Sequence, residues 1–280
     1  MRKHLVTIII IVVFLVGLSV LLYPYVSDFF NARSQSRAVA SYHEAVAVMS
    51  RQDLAEMWEA ARAYNEALVR KQDRFHPTDE EHEAYNGLLS VTTSGIMGTL
   101  EIDAIGVRLP IYHGTSEGVL QVGIGHFEGT SLPIGGVGTH AVITGHRGLP
   151  SSTLLTNLDR LEIGDTFVLY VLDDSLWYEV DQIIVVEPDD MGALGIDPEM
   201  DYCTLITCTP YGINSHRMLV RGHRIEAPPA PDDGAAEPAD VFSEAERLSP
   251  VAPLLIIFVP VLLALLVVQL ARARRKRGSG

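Results

Sequence analysis

Apolar and polar positions change rhythm several times along the chain. From Leu5 to Val26 no residue is charged, and the run is long enough to cross ~30 Å of hydrocarbon as a helix. Arg2 and Lys3 precede it. A cleaved leader would have a shorter apolar core and a small-residue cleavage site, whereas Tyr-Pro-Tyr-Val-Ser-Asp-Phe-Phe follows here. Residues 1–26 therefore read as a retained anchor with a basic tip. A second uncharged run, Val251 to Leu270, is followed by Arg272, Arg274, Arg275, Lys276 and Arg277. Positive charge flanks the cytoplasmic side of a span. The expectation is a two-pass cell-membrane protein with a transmembrane helix at 251–270, a basic cytoplasmic tail at 271–280, both termini inside and the middle outside.

Between these runs the period changes twice. Residues 27–96 read as a helical N-terminal region, because Ala38 to Lys71 is rich in Ala, Glu, Met, Leu and Arg and holds no Pro or Gly. Asp73-Arg74-Phe75-His76-Pro77-Thr78-Asp79 interrupts it, and Thr78 suits the start of a fresh helix before Glu80. After Gly95 short β-type runs follow one another between Gly, Pro and Asp: GTLEI, VRLPIYH, AVITGH, TFVLYVL, WYEVDQIIVV, YCTLITC and RMLVRGHRI. Seven or eight short strands predict a mainly β fold, a compact barrel or sandwich over 97–226 that ends near Ile225. Residues 227–250, rich in Pro, Ala and Asp, cannot build a core and predict a tether.

Charge sharpens this division. All 35 acidic residues lie between the two apolar runs, while seven of the 21 basic ones sit at the tips, so the region between is strongly negative. Such a surface argues against a nucleic-acid or anionic-lipid partner. The sequence contains no internal repeat and no Gly-rich phosphate loop.

Two cysteines remain to be explained. Cys203 and Cys208 lie in what reads as one strand, so their Cα atoms are roughly 16 Å apart at ~3.3 Å per residue. A disulfide needs less than about 7 Å. The two have opposite strand parity. Cys203 lies mid-strand, as a small buried hydrophobe does, whereas Cys208 ends the strand before Thr209-Pro210, at a rim that a substrate can reach. A thiol nucleophile needs an acid–base partner. Of the histidines beyond the helical segment around His43, namely His76, His82, His113, His126, His140, His146, His216 and His223, His146 stands at the end of the alternating strand THAVITGHRG. His140 shares its face but lies about 20 Å away at ~3.3 Å per residue. Positive charge near the developing oxyanion is also required. Arg217, nine residues past Cys208 and beyond the turn TPYGINS, can return to the same rim, with Arg147 and Arg221 as competitors. The acidic stretch Glu187 to Asp190 reads as a solvated loop rather than a calcium site.

The stretches TLITCTPYGINSHRMLVRGHR, GTHAVITGHRGLPSSTLLTNLDRLEIGD and EIDAIGVRLPIYHGTSEGVLQVGIGHFEGTSLP resemble sortases of the pilus-assembling type, class C. The likeness is dense from about Met97 to Arg224. It implies an eight-stranded sortase β-barrel, and it carries the family's catalytic residues onto Cys208, His146 and Arg217. It implies a cysteine transpeptidase that opens an LPxTG-like sorting signal between Thr and Gly through a thioacyl-enzyme and passes the acyl group to a pilin lysine amine. No metal or organic cofactor enters that scheme. Pilus-type sortases also carry an Asp-Pro-aromatic lid over the cysteine. The nearest match, within 71–79, is Asp73-Arg74-Phe75, which lacks the proline and offers Asp73 and Phe75 as lid residues. Attachment of surface proteins to peptidoglycan, and a non-catalytic membrane-held binding barrel, are the competing readings.

Overall fold

The computed structural model describes residues 2–228, with side chains from residue 13 onward. The apolar run 251–270, the basic tail and the tether from residue 229 lie outside the described residues. Four helices and eight strands carry the fold. Helix α1, Arg2–Ala47, is one uninterrupted helix that accommodates Pro24. The sequence divides this stretch into an anchor and a separate helix. The structure joins them because nothing between Ser27 and Arg37 breaks a helix: no Gly or Pro occurs there. The N-terminal part of α1 is apolar, long enough to cross a membrane, and makes no buried contact with the rest of the chain.

Helix α2, Arg51–Val69, starts at Ser50, whose hydroxyl accepts the Asp53 N–H at 3.1 Å. Helix α3, Asp79–Gly87, is held by a capping box in which Thr78 and Glu81 satisfy each other's backbone donors. The fresh helix start at Thr78 thus has a local cause.

The strands β1 (Ile96–Ile102), β2 (Val107–His113), β3 (Ile124–His126), β4 (Thr139–Thr144), β5 (Thr166–Val171), β6 (Asp174–Val186), β7 (Asp201–Thr209) and β8 (His216–Ile225) close into a barrel. Around it they run β1-β2-β3-β4-β7-β8-β6-β5. This is the mainly β, eight-stranded architecture expected, and β8 ends at Ile225. Strand β3 is the one with no pattern of its own: three residues pair in parallel with β2 and antiparallel with β4. A four-residue helix, α4 (Glu117–Leu120), leads into it.

The barrel core is filled by Leu100, Ile111, Ile124, Ile143, Leu169, Leu205 and Val220, all nearly or wholly inaccessible to water. The helices are fastened to its outside by polar bonds. Tyr42 of α1 donates to the Met97 carbonyl and accepts the Leu172 N–H at 3.1 and 2.7 Å. The Asn65 side chain of α2 makes both backbone bonds to Leu132. Tyr85 of α3 is buried against His126 and accepts the Gly114 N–H. Each of these buried polar groups is satisfied, as burial demands.

Candidate active site

Three neighbouring strands bring the reactive groups together. β4 and β7 pair in parallel from Thr139↔Asp201 to Thr144↔Ile206. Beyond the strand the contact persists, since Gly145 donates its N–H to the Ile206 carbonyl at 3.1 Å and Thr207 Oγ1 donates to the Gly145 carbonyl at 2.8 Å. Carried two residues further, the same register sets His146 beside Cys208. On the other flank of β7, Cys208 pairs directly with Arg217 of β8. Cys208 and Arg217 thus share one rung at one end of the barrel, and His146 follows the end of the strand that flanks β7 there.

The environment of each fits a different task. Cys208 is half-buried, with a free thiol. His146 Nε2 is shielded from water and makes no hydrogen bond; Glu117 Oε1 of α4 lies 3.7 Å away, too far for one. An imidazole nitrogen is thus left without a hydrogen-bond partner. Arg217 Nη1 donates only to the carbonyls of Asn214 and His216, at 3.3 and 3.1 Å. Among the described residues no carboxylate neutralises it.

The competing candidates are committed elsewhere. Arg147 is paired with Asp159 and also reaches Thr209 Oγ1. Arg221 forks onto both oxygens of Asp181 at 2.9 and 3.0 Å and lies over the Tyr202 ring. His140 is buried, with Nδ1 on the Gly195 carbonyl and Nε2 on Thr204 Oγ1, and burial lowers its pKa. Cys203 is wholly buried between Ala141 and Gly222, and burial pushes its thiol well up.

A family model for the sortase domain matches residues 100–225. The solved structure of sortase C1 from Streptococcus agalactiae is 46% identical, with a TM-score of 0.67 over 69% of this chain and 100% of that one. The chain belongs to the sortase family. Sortase C-1 from Streptococcus pneumoniae is 41% identical, with a TM-score of 0.60 and the same coverage. The class C resemblance read from the sequence thus meets class C structures. Among curated relatives, sortase D of Bacillus subtilis is 29% identical over 136 residues, which are 48% of this chain and 66% of that protein. Sortase SrtE1 of Streptomyces coelicolor is 31% identical over 144 residues, 46% of this chain and 40% of that protein. The chain thus spans between two-fifths and two-thirds of these curated relatives' lengths.

Beside the rung the sortase has a cavity of about 180 Å³, walled by Leu120, Phe127, Thr144, Ile206, Leu219 and Arg217. Thr115, Thr144, Asp190 and the guanidinium are the polar groups of an otherwise apolar wall, a surface suited to apolar side chains of an extended peptide. The connector 71–79 comes to its edge. The Phe75 ring meets Phe127 at 5.8 Å between centroids, and Arg74 Nη2 donates to the Leu194 carbonyl at 2.7 Å while lying over the Phe75 ring. Phe127 and Leu194 both line the cavity. Gly129 makes the contact possible, since a Cβ there would stand 2.3 Å from the Arg74 carbonyl oxygen. Asp73 takes another course: its carboxylate binds His76 Nδ1 at 2.6 Å and is largely exposed, turned to its own loop rather than to Arg217 or Cys208. Arg74, which sequence reasoning passed over, makes the contact instead. No local pattern distinguishes it, because its partner carbonyl lies 120 residues away.

The acidic loop is also accounted for locally. Asp190 accepts the Gly192 N–H, and Glu187 faces His216 at 3.3 Å.

Proposed function

We propose that this sortase is a membrane-held cysteine transpeptidase that joins pilin subunits. The observation that carries the reading is the pairing of Cys208 with Arg217, whose guanidinium no described carboxylate neutralises, beside the strand that leads into His146, whose Nε2 has no hydrogen-bond partner. Similarity to sortase C1 of a GBS pilus island and to a sortase C of Streptococcus pneumoniae described for its pilin substrate specificity supports the choice of substrate.

In this mechanism the Cys208 sulfur, as thiolate, attacks the threonine carbonyl carbon of an LPxTG-like signal, forming a C–S bond and a tetrahedral oxyanion. Arg217 holds that oxygen by charge-assisted hydrogen bonds. The C–N bond to glycine then breaks, and His146 gives its proton to the departing amine. A lysine amine of another pilin attacks the thioester and forms an isopeptide bond. His146 takes the lysine proton, and the thiolate is regenerated. The segment 71–79 acts as a lid through Arg74 and Phe75.

In the cell the barrel sits outside, α1 spans the membrane and the run 251–270 returns the chain to the cytoplasmic side. Intact-mass analysis of the protein incubated with pilins tests the chemistry. The expected product is an adduct ending at the signal's threonine, absent in Cys208→Ala and discharged onto a pilin lysine. Discharge onto a cell-wall amine alone would instead identify a peptidoglycan-attaching enzyme.

A further inference from the structure

The two ends of the barrel differ in what α1 does there. Cys208, His146 and Arg217 mark one end. The opposite end carries the turn from β5 to β6 and the start of β1, since β5 runs antiparallel to β6 and β1 to β5. Tyr42 of α1 binds Met97 and Leu172, both at that opposite end. About two to four turns earlier the helix is held elsewhere. Gln35 binds the Val122 carbonyl, just ahead of β3, and Ser152 Oγ. Asn31 binds the Ser151 carbonyl, and Asp28 accepts both the backbone N–H and the hydroxyl of Thr153. Residues 151–153 belong to the loop that follows His146 and folds back on it through Leu155 N–H to the His146 carbonyl. Helix α1 therefore passes along the barrel from the catalytic end to the far end, roughly 21 Å between Asp28 and Tyr42 at ~1.5 Å per residue. Traced toward its N-terminus, it leaves the barrel past the catalytic rim.

Two further observations fall at the same level. Tyr23, Tyr25 and Phe30 are exposed on α1 where it meets the barrel, an aromatic group of the kind found at membrane–water boundaries. The turn between β7 and β8 begins two residues past Cys208, and its Tyr211 and Ile213 are 61% and 72% exposed on a strongly acidic chain. Two backbone bonds to the Pro210 carbonyl, from Ile213 and Asn214, shape that turn, and Tyr211 lies against Gly148 beside the site. The apolar tip thus projects from the same end of the barrel as the apolar helix.

We propose that the catalytic rim rests on the outer surface of the bilayer, with Tyr211 and Ile213 immersed in the lipid interface beside the aromatic residues of α1. The partner is the boundary between headgroups and acyl chains, reached by apolar side chains, because the acidic exterior gives anionic headgroups nothing to bind. Burying those side chains at the interface is favourable in proportion to their apolar area. The rim is then placed to meet a sorting signal held in the same membrane. This inference rests on α1 being the membrane anchor.

The full chain in phosphatidylcholine vesicles tests it, with Cys208→Ala as background and Cys203 too buried to label. Single cysteines replace Val20 in α1, Ile213 at the rim and Val137, an exposed residue at the far end. Each carries an environment-sensitive fluorophore, read against lipid with a nitroxide at the headgroup. The expected result is several-fold stronger quenching at Val20 and Ile213 than at Val137. Quenching at Val20 with Ile213 matching Val137 overturns the rim placement and leaves the anchor intact. No quenching at Val20 overturns the anchor and this inference together. In the otherwise native chain, Ile213→Ser is expected to slow acyl transfer from a vesicle-anchored substrate several-fold while a short soluble peptide reacts as before. Equal rates relative to the native chain on both substrates would count against the proposal.

Discussion

Two levels of the same three strands make an instructive contrast. At the lower one Cys203 lies between Ala141 and Gly222; at the upper one Cys208 pairs with Arg217, and His146 follows the end of the flanking strand β4. Residue type and strand are shared, yet the lower thiol is sealed in the core and held protonated by burial, while the upper one is half-exposed and paired across the ladder with an arginine. A thiolate, not a thiol, is the nucleophile. The histidines repeat the lesson, since both ring nitrogens of His140 are occupied and Nε2 of His146 has no partner. On the proposed mechanism, reactivity follows from neighbours at the rim rather than from the presence of the group.

Exchanging roles between the levels is the strongest way to break this contrast. Cys208→Ala is expected to abolish acyl-enzyme formation with an unchanged melting temperature. Cys203→Ala removes a packed atom, costs about 1 kcal/mol of stability and keeps most activity. Equal loss of activity in two folded variants would overturn the assignment of the nucleophile.

Removing a neighbour should cost less than removing the thiol. His146→Ala and Arg217→Ala are each expected to lower turnover by ~10²- to 10³-fold or more, the scale measured for a lost oxyanion donor. Arg221→Ala, which breaks the fork to Asp181, should lower the melting temperature while leaving turnover within a few-fold. Reversed kinetics for the two arginines would show that the upper rung had been read wrongly.

The interior histidines sharpen the comparison through pH. His126 is wholly buried between Tyr85 and the Ser131 carbonyl, and burial pushes its pKa down to about 4 from the ordinary 6.5. Below pH 6.5 the unfolded chain takes up a proton that the native chain refuses until about pH 4. Stability is therefore full above 6.5 and falls as pH drops through that window, by roughly 3 kcal/mol from this group. Burial of His140 acts in the same direction. Urea unfolding across the window should show the slope, and His126→Gln should reduce it while also lowering stability at neutral pH. An unchanged slope in that variant would mean that His126 is not the group responsible.

The smallest effect is expected at the lid. Replacing Arg74 and Phe75 by Ala frees the edge of the cavity and should speed labelling of Cys208 by a small thiol reagent a few-fold, as a more often open site requires. Asp73→Ala, which disturbs only the bond to His76, should leave the labelling rate near that of the native chain. The opposite ranking would return the lid role to Asp73.

Most of the strands, the helix start at Thr78, and the opposed faces of Cys203 and Cys208 were legible in the sequence. Those features depend on period-two alternation, on a cap closed within three residues, and on strand parity, all of which act over short spans. Other features belong to the tertiary structure alone. Strand β3 is a strand only because β2 and β4 flank it. The choice of Arg217 among three arginines depends on Asp181 and Asp159, carboxylates 40 and 12 residues from the arginines they bind. The turn of Asp73 toward His76, the reach of Arg74 to Leu194, and the passage of α1 from the catalytic end are likewise invisible locally. A sequence pattern encodes which face of an element is apolar. Which partner that face meets, and in what register, is set when burial and hydrogen-bond satisfaction are optimised over the whole barrel at once.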